Sequence, residues 1–189
     1  MSQTPDEEPP ADLLKEVEGR KLHLGGVEVR AGWEIFNAQK FEGVDHIGDI
    51  KDLSRFETGS FSMVYASHVF EHLSYQGALH VALAEVSRVL APGGRFLVSV
   101  PDLMTLCRIF ASPKADEQLR YAVMRMMFGG QIDPYDFHYV GLWDDFLASA
   151  LGQAGFSEVH RVPRFDIFKD ASSVAVGSVL ISLNLVAIK

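Results

Sequence analysis

Residues 95–101, RFLVSVP, run almost without polar alternation for the length of one strand. A strand with one wet face alternates apolar and polar side chains, whereas a strand covered on both faces does not. This one follows directly on a helical pattern. Leu79, Ala82, Leu83, Val86 and Val89 or Leu90 fall on one helix face, with His80, Glu85 and Arg88 opposite. The stretch Pro92-Gly93-Gly94 stops that helix. A helix that hands over to a doubly covered strand is one unit of a parallel sheet layered with helices.

The rest of the chain repeats the alternation. KLHLGG (21–26), GWEIF (32–36), GVDHIGD (43–49) and SFSMVYAS (60–67) read as four short strands ahead of the helix, and ADLLKEVE (11–18) as a short helix before them. Beyond the strand, Asp102 is placed to cap a helix over DLMTLCRIF. ADEQLRYAVMRMMF is a second helix ending at Gly129 and Gly130. An aromatic loop, 131–142, follows. A helix over 144–154 has Leu147, Ala150, Leu151 and Ala154 on one face and Gly155 at its C′ position. EVHRV and SVLISLNLVAIK are the last strands. Residues 163–175 between them carry no helical period, so no crossover helix joins them and the pair is expected to be antiparallel. The expected fold is an α/β, Rossmann-like sheet, mostly parallel, with helices on both faces. Ligands of such sheets bind beyond the carboxyl ends of the strands, where strand order reverses.

Charge and composition narrow the partners. The first 18 residues hold six acids (Asp6, Glu7, Glu8, Asp12, Glu16, Glu18) against Lys15. Residues 1–9 are expected to form a disordered acidic tail and 10–189 a single domain. The net charge of −8 comes with no run of Lys or Arg, which a nucleic-acid backbone would require. No apolar run reaches the roughly 20 residues that cross a bilayer, so membrane insertion is not expected. The start MSQTPDEEPP has no secretory pattern, and the single cysteine, Cys107, excludes an internal disulfide. A cytoplasmic protein is the expectation; the oligomeric state is left open.

Four segments together, LHLGG, GDIKDLSRFETGSFSMVYASHVFEHL, EVSRVLAPGGRFLVSVPDL and LGQAGFSEVHRV, resemble the small class I S-adenosylmethionine-dependent methyltransferases, in order and at family-like spacing from about residue 21 onward. The resemblance implies a seven-stranded sheet whose last strand is antiparallel, with S-adenosylmethionine as cofactor over the first strands. It implies that Gly25 and Gly26 let the backbone approach the cofactor, that Asn37 faces the ribose, that Asp49 with Ile50 meets the adenine, and that Ser67 closes the fourth strand beside it. Two positions depart from the family pattern. Val27 stands where a second loop glycine is usual, and Asn37 where an acid is usual. Only about eight residues separate the first two strands, short for a parallel crossover.

ASHVFEHLS (66–74) contains His68, Glu71 and His72 in the order H-x-x-E-H, the spacing of one class of zinc motif. That reading needs all three on one helix, yet His68 directly follows a strand. No metal is therefore expected, and Glu71 and His72 should open the next helix. His68, Glu71 and, from the aromatic loop, His138 are the candidates for a catalytic base. The expected activity is methyl transfer to a small-molecule acceptor, through oxygen, with a saccharide suggested by the aromatic loop. The alternative is a methyltransferase-fold binding or scaffold protein without catalysis.

Overall fold

The computed structural model describes residues 12–15 and 17–189. The expected acidic tail, residues 1–9, lies outside the described residues. Among the described residues, nine strands and four α-helices follow one another: β1 (Lys21–Leu24), β2 (Trp33–Asn37), β3 (His46–Ile47), β4 (Phe61–Ser67), α1 (Ala78–Val89), β5 (Leu90–Pro101), α2 (Leu103–Phe110), α3 (Glu117–Phe128), α4 (Asp144–Gln153), β6 (Glu158–Val162), β7 (Ala175–Val176), β8 (Val179–Leu180) and β9 (Ser182–Ile188). Seven strands form one sheet in the order β3-β2-β1-β4-β5-β9-β6, and β7 and β8 make a separate small hairpin. The first five strands of that order pair in parallel, whereas β9 runs antiparallel to both β5 and β6. Strand order reverses between β1 and β4, the point at which sheets of this kind bind ligands in a crevice beyond the strand ends.

Local signals act as expected at several ends. The Asp102 carboxylate accepts from the N–H groups of Met104 and Thr105 and starts α2. Gly129 and Gly155 take φ of 82° and 98° just past α3 and α4, a conformation that favours glycine. Three expectations fail. Residues 12–15 form a turn, not part of a helix, because the carbonyls of Asp12, Leu13 and Lys15 accept from Arg95 Nη1 (2.6, 3.0 and 3.2 Å). The third strand is only two residues long, because the Asp45 side chain takes the Ile35 N–H (2.8 Å) that the ladder would use. Glu71 and His72 do not open α1. They lie in a separate 3-10 turn, Phe70–His72, and α1 begins only after Gly77.

The core has two main parts. On one sheet face, Leu79, Leu83 and Val86 of α1 and Leu147 and Leu151 of α4 pack with Phe36, Val64, Phe96 and Leu185. The other face is closed mainly by a segment without helix: Phe165, Ile167 and Phe168, with Leu13, cover Trp33, Met63, Tyr65 and Val186. Each such aromatic contributes roughly 1.5–3 kcal/mol by leaving water. The segment is also tied by polar bonds. Tyr65 Oη donates to Asp170 Oδ2 (2.6 Å), and Asn184 Nδ2 donates to the carbonyls of Pro163 and Ser172 (both 3.0 Å). Burial and the Asp170 carboxylate both push the Tyr65 phenol far up. Among the described residues no helix is long and apolar enough to cross a membrane.

Candidate active site

The register places the ends of β1, β2 and β4 side by side: Leu24 pairs with both Phe36 and Ala66. Gly25 follows at φ 69°, and its N–H donates to the Phe36 carbonyl (2.8 Å). A Cβ on Gly25 would overlap Cγ2 of Val69, which follows β4, so this glycine lets the loop after β1 lie against the loop after β4. Gly26 is held differently. A Cβ there would overlap the His23 ring, which is buried between Tyr65 and Phe168 (ring centroids 5.0 and 4.1 Å away). Burial lowers the His23 pKa to about 4. Val27 is 71% exposed, so no packing demand replaces the missing glycine.

Asn37 closes this loop. Its Nδ2 donates to the Gly26 carbonyl (3.1 Å) and its Oδ1 accepts from the Gln39 N–H (2.9 Å). Asp49, after β3, is exposed; its Oδ1 accepts from the Lys51 N–H (2.9 Å) and Oδ2 lies 3.1 Å from Lys51 Nζ. Ile50 beside it is buried in the core. Ser67, the last residue of β4, has a buried hydroxyl with no partner among the described residues. Gly25, Asn37, Asp49 and Ser67 therefore stand at four carboxyl ends of the sheet, with Gly25 and Ser67 flanking the crevice. The unpartnered Ser67 hydroxyl at that place fits a ligand laid across the strand ends, while the glycines pack on Val69 and His23 and the Asn37 amide is already engaged by the chain.

His68 comes next, at φ 54°, a left-handed conformation that costs a side-chain-bearing residue about 1 kcal/mol or more. Its N–H donates to the Ser99 carbonyl (2.9 Å), which pins the turn to β5. Ser182 Oγ gives its only proton to the Ala171 carbonyl (2.8 Å), so it accepts from His68 Nε2–H (3.0 Å). His68 Nδ1 then faces Glu71 Oε1 at 3.3 Å, without hydrogen-bond alignment. Glu71 is 1% exposed, and neither carboxylate oxygen has a hydrogen-bond partner among the described residues.

His138 arrives from the aromatic loop. The Tyr139 N–H donates to the Glu71 carbonyl (2.8 Å), and His138 N–H to that of Phe128 (3.2 Å). These bonds set His138 Nε2 4.0 Å from Glu71 Oε1. Burial lowers the His138 pKa despite the Glu71 charge. His72 joins the same group, its ring edge-on to His138 with centroids 4.8 Å apart. The three base candidates His68, Glu71 and His138 thus converge, although His138 is 67 positions beyond Glu71 in the chain. His72, expected only to pack a helix start, converges with them. The H-x-x-E-H spacing gave the local half of this cluster; nothing local pointed to His138 as its partner. Ser182 and Ser99, which orient His68, carried no recognisable signal.

Comparison with known proteins agrees with this architecture. Residues 15–98 match the model of the methyltransferase domain family. No curated protein sequence matches the chain. Among solved structures, a methyltransferase dependent on S-adenosylmethionine from Archaeoglobus fulgidus is similar at a TM-score of 0.57 with 16% identity, over 90% of this chain and 86% of that one. One from Mesorhizobium loti is similar at 0.55 with 17% identity, over 94% of each chain, and one from Thermotoga maritima at 0.54 with 15% identity, over 94% and 88%. The domain match runs from ahead of β1 into β5 and includes the glycine loop, and the structural likeness covers nearly the whole chain. The chain has the fold of the class I methyltransferases, whose cofactor is S-adenosylmethionine, and its residues 15–98 match the methyltransferase domain family.

Proposed function

We propose that the protein transfers a methyl group from S-adenosylmethionine to a hydroxyl of a small-molecule acceptor. The observation that carries the reading is the buried Glu71 carboxylate between His68 and His138, directly after β4 at the crevice that Gly25 and Val69 close. Gly25 and Gly26 lie under the cofactor, Ser67 offers it a hydroxyl, and Asp49 with Ile50 receives its adenine end. Asn37 supports the loop and offers only what its two internal bonds leave. When bound, the cofactor supplies an electrophilic methyl on sulfur. The protein's part is then to align the acceptor oxygen and take its proton. His68, Glu71 and His138 form the accepting group: an imidazole takes the proton and the buried carboxylate stabilises the resulting charge.

Tyr135 and Tyr139 are 57% and 58% exposed, and Phe137 and Tyr139 lie stacked with ring centroids 6.5 Å apart on either side of His138 in sequence. Exposed aromatic faces beside a base suit the apolar face of a sugar ring, which supports a saccharide as acceptor. Calorimetric titration with S-adenosylhomocysteine is the first test, with micromolar binding expected. No binding at millimolar concentration would favour a non-catalytic binding protein on the same fold. Transfer of labelled methyl from S-adenosylmethionine to a panel of hydroxyl compounds, sugars included, then tests the acceptor class.

A further inference from the structure

We propose that Glu71, His72 and His138 bind a divalent transition-metal ion of the zinc class. One ligand atom from each lies within 4.8 Å of the others, and no other group of the described residues gathers three such side chains. Drawing them onto an ion at about 2.1 Å requires the rings to close in by roughly an ångström. Two imidazoles and one carboxylate are a recurrent set for zinc and its neighbours, leaving positions open for a further ligand.

Two features point to an ion and not to a chance meeting. The first is Glu71, 1% exposed with both oxygens unpartnered among the described residues, which is costly for a carboxylate unless a cation faces it. The second is tautomer control. His72 Nδ1 lies 3.0 Å from the Phe137 carbonyl, which can only accept, so the proton is on Nδ1 and Nε2 keeps its lone pair. A histidine that donates its other ring N–H to a carbonyl is the usual arrangement of a metal ligand.

The site is not the linear H-x-x-E-H motif, since His68 lies outside the trio and His138 replaces it. It stands whether or not methyl transfer is the reaction. With the ion bound, Glu71 and His138 are ligands, and of the proposed accepting group His68 is left to take a proton.

The test uses the full chain, freed of metal by a chelator and without cofactor or acceptor. Zinc is titrated calorimetrically, and cobalt by its visible absorption. One ion per chain at micromolar affinity or tighter is expected. Glu71→Gln and His138→Ala should each weaken binding by more than about 100-fold, beyond the loss typical of an outer-shell partner; His68→Ala should retain it. His138→Gln replaces any variant that circular dichroism shows to be unfolded. No binding in the wild-type chain at millimolar zinc overturns the proposal. So does equal binding by the folded Glu71 and His138 variants, or loss in His68→Ala with retention in His138→Ala. A parallel titration with S-adenosylhomocysteine keeps the fate of the methyltransferase reading separate.

Discussion

Gly25 and Val69 meet beyond the paired ends of β1 and β4 so closely that a methyl group on Gly25 would overlap Cγ2 of Val69. Gly25 is also at φ 69°. Gly25→Ala therefore combines a left-handed penalty with overpacking, together about 2–4 kcal/mol of stability. Adding Val69→Ala should recover the packing part but not the backbone part. Chemical denaturation of both variants measures this, and no rescue by the second substitution would show that the two loops are not in contact.

Asp49 is exposed and paired only with Lys51, so its loss should scarcely alter folding. If it receives the adenine, Asp49→Ala should weaken S-adenosylhomocysteine by roughly 1–3 kcal/mol. Unchanged affinity in a folded variant removes Asp49 from the site.

His68 takes no part in the main apolar core, yet its ring is oriented by Ser182 (3.0 Å). His68→Ala should cut methyl transfer steeply while shifting the melting temperature by only a few degrees, equivalent to about 1 kcal/mol. Ser182→Ala should reproduce part of the loss in turnover with little change in KM. Full activity in both variants would place the base elsewhere.

His23 links stability to pH. Burial lowers its pKa to about 4, against an ordinary value of 6.5. The unfolded chain therefore binds a proton in this window that the native chain refuses. The stabilisation is complete above pH 6.5 and is lost as pH falls toward 4, at up to about 1.4 kcal/mol per pH unit. Denaturation curves between pH 7 and 4 should show this slope, and His23→Leu should reduce it. An identical slope in the variant would assign the effect to other groups.

Tyr65→Phe leaves the Asp170 carboxylate without its 2.6 Å donor and loosens the segment over the second sheet face. A loss of about 1–3 kcal/mol is expected, together with faster amide exchange in residues 163–173. A neutral substitution would mean that Phe165 and Phe168 hold the segment unaided.

The sequence by itself determined the order of strands and helices, the caps at Asp102, Gly129 and Gly155, the antiparallel last pair and the strand-end placement of Gly25, Asn37, Asp49 and Ser67. Each of these rests on periodicity, turn chemistry or a register only a few residues long. Only the tertiary structure decided that residues 12–15 are a turn, since the competing donor to their carbonyls is Arg95, some 80 positions away. It alone brought His138 to Glu71 and turned His72 into the same cluster. Contacts of that kind depend on which distant loops the packed sheet holds together, and a loop carries no periodicity from which its partner could be read. Gly26 is a glycine because the buried His23 ring lies against it, a reason invisible until the strand is folded.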